Sequence, residues 1–220
     1  MPTHFPEVRH ECVAADAREL CGATLKSLLR ATPDIVMGGP LCDDYTRLGR
    51  RRGFGGAKGP LIFDLLRIVD EIRPECFIFE NVPNLTQQFK QIFQLFLDET
   101  NAIGFFSQWT LLKARDYGVP TQRTRVFVVG WKKSAMNDDF YFPDATHVDP
   151  KDCPLLVHPR GNLKPFRFVS NVLEGLPNVK IPEASGFFNY TGRNHRPETI
   201  EHIKTVPLGK QINKSFRYRA

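Results

Sequence analysis

Three short apolar runs, each ending on residues able to do chemistry, constrain this chain more than anything else in it. The first is Asp34-Ile-Val-Met-Gly-Gly-Pro-Leu-Cys42. Its hydrophobic stretch breaks at paired glycines, which allow a sharp backbone turn, and then presents a thiol. The second, Cys76-Phe-Ile-Phe-Glu80-Asn81-Val82-Pro83, reads as a buried strand closed by a carboxylate. The third pairs Gln108-Trp-Thr-Leu-Leu-Lys113 with Val126-Phe-Val-Val-Gly130 across a loop of roughly ten residues, the pattern of a hairpin. That loop holds Tyr117-Gly-Val-Pro-Thr-Gln-Arg123-Thr-Arg125. In an open α/β sheet, ligands bind beyond the carboxyl ends of the strands. If the strand at Gln108 runs parallel to the other two, Cys42, Glu80, Arg123 and Arg125 meet at one rim. A partly desolvated carboxylate there is suited to proton donation. Taken singly, a buried cysteine, a capping glutamate and a solvated arginine pair would each be ordinary.

Helical patterns separate these runs. Pro60 to Ile72 carries Leu61, Leu65, Ile68, Val69 and Ile72 on one face, and Gln87 to Asp98 turns Phe89, Ile92, Phe93, Phe96 and Leu97 inward. A strand near Val13 precedes an amphipathic stretch, Thr24 to Arg30. Strands alternating with helices give an α/β class. At 220 residues the chain can bury one core with an appendage. Beyond Trp131 the character changes, so we place the division at 1–135 and 136–220. Residues 137–162 read as an irregular connector, and a helix is expected at Pro197 to Lys204.

Charge and cysteine usage narrow the partners. A net charge of +6 and a pI near 9.1 suit a polyanion. The glycine-rich stretch Arg47 to Lys58 has five basic residues, Arg51 and Arg52 among them, that could contact phosphates. It is not a P-loop, because glycine follows Lys58 where Ser or Thr is required. Cys12, Cys21, Cys42, Cys76 and Cys153 form no Cys-x-x-Cys pair and no metal-ligand spacing with histidine, so no metal is expected; His195 and His202 do not change this. With no signal peptide and no membrane-length apolar run, the expected setting is a reducing cytoplasm. The tail from Lys210 to Ala220, basic with aromatics, could lie along DNA.

Taken together and in this order, the motifs resemble the cytosine-5 DNA methyltransferase family. Gly38-Gly39-Pro40-Leu41-Cys42 is similar to its Gly-Gly-Pro-Pro-Cys loop, Glu80-Asn81-Val82 to its Glu-Asn-Val tripeptide, and Thr121-Gln122-Arg123-Thr124-Arg125 to its Gln-x-Arg-x-Arg motif. The likeness runs from about Phe5 to Trp131 and more faintly to the C-terminus. It implies a Rossmann-like, S-adenosylmethionine-dependent methyltransferase sheet with helices on both faces. It also implies methyl transfer to carbon 5 of a flipped cytosine in double-stranded DNA, as in restriction-modification systems. Cys42 would be the nucleophile, Glu80 the donor of a proton or hydrogen bond to ring nitrogen 3, Arg125 a contact to the cytosine carbonyl and Arg123 a brace for the loop and the cysteine. Asp16 and Pro40 would border the cofactor, and Asn81, Arg51 and Arg52 would contact substrate.

Departures from the family are also legible. Leu41 stands where proline normally stiffens the turn before the nucleophile. Thr121 occupies the place of the glutamine that normally follows Val-Pro. The family's opening Phe-x-Gly-x-Gly turn is absent, and its last segments would lie beyond Ala220. The chain is therefore expected to be incomplete at both ends, a fragment or one part of a split enzyme with a complementing chain, and to carry an irregular C-terminal extension. Two alternatives stand beside this reading: a cytosine methyltransferase acting on transfer RNA, and a non-catalytic DNA-binding remnant.

Overall fold

A computed structural model describes residues 14–29, 31–40, 61–133, 140–149, 157–158, 161–174 and 196–205. The three apolar runs become the strands of one four-stranded sheet. Strand β1 (Ile35–Gly38) pairs in parallel with β2 (Cys76–Asn81), and helix α2 (Leu61–Ile72) lies between them in the chain. Strands β3 (Phe105–Lys113) and β4 (Thr124–Lys132) form the hairpin, with β4 antiparallel to both β3 and β2. The sheet order is β1-β2-β4-β3. It follows that β3 runs in the direction of β1 and β2. The β3–β4 turn therefore opens at the rim where β1 and β2 end, as the sequence requires for the arginines to join Glu80.

Period-two alternation sorts the sheet's side chains. Phe77, Phe79, Val126 and Val128 point to one face and are fully buried there with Phe105. Helices α2 and α4 (Lys90–Ala102) both pack on this face, through Ile62, Leu65, Leu66 and Val69 from one and Phe93 and Phe96 from the other. Phenylalanines dominate the contact. Phe79 and Phe96 stack with ring centroids 4.5 Å apart, and Phe105 meets Phe77 edge-on at 5.6 Å. Burying each such ring contributes roughly 1.5–3 kcal/mol, which makes this the principal core. Ile35 and Met37 of β1 and Phe106 of β3 lie on the opposite face and are exposed. There, Phe140 packs on Trp131 at 5.9 Å.

Several expectations need adjustment. The helix expected from Gln87 to Asp98 is two helices, α3 (Asn84–Gln87) and α4. Gln88 closes α3 with its N–H on the Asn84 carbonyl, and Phe89 leaves helical geometry (φ −113°, ψ 31°) as its ring turns to the core. Strand β3 starts three residues earlier than Gln108. Gly104, at φ 91°, frees the chain from α4, and Phe105 is drawn in by Phe77. Residues 14–20 carry turns where a strand near Val13 was expected, and Val13 itself lies outside the described residues. Helix α1 (Gly22–Leu29) follows. The connector and the residues just after it contain the two-residue strands β5 (His147–Val148), β6 (Val157–His158), β7 (Gly161–Asn162) and β8 (Lys164–Pro165), with β5 parallel to β8 and β6 antiparallel to β7.

The chain divides into two compact units, Met1–Val172 and Leu173–Ala220, and the connector is tied to the first. The reason is local. The Thr146 N–H donates to the Asp116 carbonyl at 2.9 Å, and the Tyr117 hydroxyl donates to the Pro143 carbonyl at 2.8 Å, tying the connector to the first unit. The short helix α5 (Val169–Leu173) follows the connector, and α6 (Pro197–Thr205), which belongs to the second unit, appears where the sequence places it.

Candidate active site

The site is built where β2 ends. Successive residues of a strand point to opposite faces, so Glu80 and Asn81 do different work. Glu80 faces the hairpin. Arg125 Nε lies 2.9 Å from Glu80 Oε1, and a terminal nitrogen of Arg123 lies 3.6 Å from the same oxygen. Arg125 also donates to the Thr124 carbonyl at 2.7 Å, which fixes its guanidinium against the strand. The base of the hairpin is closed by the Ala114 N–H on the Arg123 carbonyl at 2.8 Å. Between them a 3₁₀ turn (Ala114–Tyr117) reverses through Gly118, whose φ of 83° favours glycine. Arg115 lies over the Phe166 ring, 4.6 Å from its centroid, so the connector braces this turn from outside.

From β1, the glycines meet this cluster edge-on. A side chain at Gly39 would come within 3.1 Å of Glu80 Oε2, and one at Gly38 within 2.6 Å of Leu65 in α2. Glycine therefore lets the strand end sit directly between the Glu80 carboxylate and the helix. Asn81, expected among the substrate contacts, is turned inward and only 2 % exposed. Its amide nitrogen donates to the Pro40 carbonyl at 3.2 Å and its oxygen accepts from the Val82 N–H at 2.9 Å. Its side chain is thus a clamp on the loop that leads into Cys42. Burial forbids leaving such groups unpaired. Asn81→Ala should cost about 1–3 kcal/mol in urea unfolding, while an exposed asparagine would cost within about 0.5 kcal/mol.

Cys42, Arg51 and Arg52 lie outside the described residues. Two other thiols are placed. Cys76 begins β2, at the end opposite Glu80, and burial pushes its thiol pKa up, the reverse of what a nucleophile needs. The Cys21 thiol is exposed and is lowered by its hydrogen bond with Thr24. No cluster of potential metal ligands occurs among the described residues, and no described helix is long and apolar enough to cross a membrane.

Asp16 stands in a turn in which its carbonyl accepts from the N–H groups of Glu19 and Leu20, at 3.0 and 3.2 Å. Its carboxylate takes hydrogen bonds from the Arg18 side chain and from the Arg18 N–H. Those bonds, the side-chain one foremost, hold its pKa down at about 2. The turn lies along α2. Arg67 in mid-helix donates to the carbonyls of Ala17 and Leu20. Since α2 connects two parallel strands, its first turn is at the strand-end rim, beside Gly38. Arg67, Glu71 and Arg18, which hold this turn and its flank, were not singled out by the sequence. The only signal for the first two was a charged stripe at Asp64, Arg67 and Glu71 on the helix face away from the core.

Comparison with known proteins agrees with this geometry. The family model for C-5 cytosine-specific DNA methylases matches residues 9–208. The type II methyltransferase M.AquIA of Picosynechococcus sp. is 30% identical over 160 residues, covering 69% of this chain and 63% of that protein. M.SacI of Streptomyces achromogenes is 34% identical over 193 residues, 84% of this chain and 47% of its own length. The chain thus spans about half the length of these relatives. A solved structure assigned as a DNA modification methyltransferase of an E. coli prophage shares the fold, with a TM-score of 0.53 and 24% identity over 74% of this chain and 41% of that one. A four-stranded sheet whose strand ends gather Glu80, Arg123 and Arg125, and a model match across most of the length, give one conclusion: the chain belongs to the C-5 cytosine-specific DNA methylase family.

Proposed function

We propose that this chain carries the reacting groups of a DNA (cytosine-5-)-methyltransferase, with double-stranded DNA as substrate and S-adenosylmethionine as cofactor. One observation carries the reading. The carboxylate of Glu80, the guanidinium groups of Arg123 and Arg125, and the Gly39-Pro40 segment that runs into Cys42 share one strand-end rim. Cytosine carbon 5 is a poor nucleophile until carbon 6 is attacked. The Cys42 thiolate adds to carbon 6, forming a carbon–sulfur bond, while Glu80 gives a proton to ring nitrogen 3. Electron density then moves to carbon 5. Arg125 binds the carbonyl oxygen and Arg123 steadies the loop. Methyl transfer to carbon 5 leaves the donor's sulfonium as a neutral thioether. A water molecule then takes the carbon 5 proton, the freed electron pair restores the double bond and expels the Cys42 thiolate, and ring nitrogen 3 returns its proton to Glu80. The target base must be flipped from the duplex, at a cost of a few kcal/mol.

S-adenosylmethionine supplies an electrophilic methyl group on a sulfonium. The residues present fit it. Asp16 is a turn carboxylate about one-third exposed, able to accept from the adenine amino group, and Pro40 borders the same rim. Ile35 and Met37, exposed on the strand that leads to Cys42, are apolar surface that a complementing chain would cover.

Calorimetric titration with S-adenosylmethionine tests the reading. The chain should bind with micromolar affinity, and Asp16→Ala should weaken it about tenfold or more, the loss of one hydrogen bond to a charged group. An acid held below its ordinary pKa keeps its charge, and the contact that depends on it, until pH falls through the folded value. With Asp16 at about 2, its contribution should be constant from pH 8 to about pH 4. No binding up to millimolar cofactor would overturn the reading for this chain.

A further inference from the structure

The hydrogen bonds within the Asp16 turn are local. Asp16 bonds to Arg18, Glu19 and Leu20, all within the same turn. The bonds that tie this turn to the folded core come from α2. One terminal nitrogen of Arg67 donates to the Leu20 carbonyl at 2.7 Å and to Glu71 Oε1 at 3.0 Å. The other donates to the Ala17 carbonyl at 2.9 Å. Glu71 completes the grip by accepting from the Gly22 N–H with its second oxygen. Contact here is close enough that a side chain at Gly22 would lie 2.6 Å from the Glu71 Cβ. Lys26 adds a bond to the Glu71 carbonyl at 2.9 Å.

The two faces of α2 therefore perform two tasks. Leu65, Ile68, Val69 and Ile72 anchor it in the core, and Leu65 also rests against Gly38 at the end of β1. Arg67 and Glu71, three and seven residues after Asp64, hold the turn on the outer face. A guanidinium is suited to this, because its planar fork can reach two carbonyls and a carboxylate at once, which an ammonium cannot. The helix thus sets the distance between the Asp16 carboxylate and the strand end before Cys42.

We infer that Arg67 is a positioning residue for cofactor binding, fixing the Asp16 turn against α2 through the carbonyls of Ala17 and Leu20. The inference rests on the reading of Asp16 as a cofactor contact. Its test compares Arg67→Met, which keeps the aliphatic stem and loses the donors, with Arg67→Lys. Amide hydrogen exchange and S-adenosylmethionine affinity are measured on both and on the wild-type chain. In Arg67→Met, exchange at Glu19, Leu20 and Gly22 should speed by about tenfold or more, with Phe79 and Val128 unchanged. Cofactor affinity should fall by a similar factor, and Arg67→Lys should recover part of both effects. Wild-type exchange rates in Arg67→Met would overturn the inference. Faster exchange with undiminished affinity would overturn it as well, since the turn would then not serve the cofactor. A wild-type chain that binds no cofactor would sink the reading of Asp16, while the exchange rates would still decide whether Arg67 holds the turn.

Discussion

Cys42→Ala should abolish methyl transfer to duplex DNA and leave the folded structure intact. Without the thiolate nothing adds to carbon 6, so carbon 5 never becomes nucleophilic, and Glu80 and Arg125 have no developing charge to stabilise. Loss of a covalent nucleophile typically costs about 10⁴-fold or more in turnover, beyond what loosening a loop would produce. Stability should not follow, because among the described residues the buried core is assembled by α2, α3, α4 and the sheet, from Ile62 to Val128. The experiment is radiolabelled methyl incorporation beside a urea unfolding curve. Retained incorporation by the alanine variant would remove the covalent mechanism. Lost incorporation accompanied by a collapsed unfolding midpoint would show instead that the residue is structural.

The meeting of Glu80 with Arg123 and Arg125 was legible in the sequence because its signals are local. Each strand is an apolar run, Glu80 comes directly after one and the arginines directly before another. Direction was the missing piece, and the β2–β4 register supplies it by placing Glu80 opposite Phe127, two residues from Arg125. The structural work of Asn81 was not legible, because a strand-terminal asparagine reads equally as a ligand contact. Only the pleat shows that it points away from Glu80 and back toward Pro40. The α3–α4 break was hidden because Phe89 satisfies the helical apolar pattern whether or not the backbone bends there. Arg67 could not be assigned its role at all. Its partners at Ala17 and Leu20 lie 50 and 47 residues earlier, and a charged stripe on a helix is usually just a solvated face.

Glu80→Gln should separate chemistry from stability more sharply than any other substitution at the site. The carboxylate lies against two guanidinium groups, at 2.9 and 3.6 Å, so glutamine loses both ion pairs. Yet the Glu80 side chain is 32% exposed and that of Arg125 22%, and pairs open to solvent are worth about 0–1 kcal/mol. The unfolding free energy should therefore change by no more than about 1 kcal/mol. Catalysis should change far more. Glutamine fills the same space and can still hydrogen-bond ring nitrogen 3, but it has no acidic proton to give. Losing a general acid lowers turnover by about 10²–10⁴, equivalent to about 3–5 kcal/mol in the barrier. The two magnitudes differ enough for a single variant to decide. A large rate loss with near-native stability assigns Glu80 to proton transfer. A destabilisation of several kcal/mol would mean that the Glu80–Arg125 pair holds the hairpin against β2, and the rate loss would then follow from disorder at the rim. Arg125→Met gives the reciprocal check. If Arg125 binds the cytosine carbonyl, its loss should raise the KM for DNA, whereas Glu80→Gln should act chiefly on kcat.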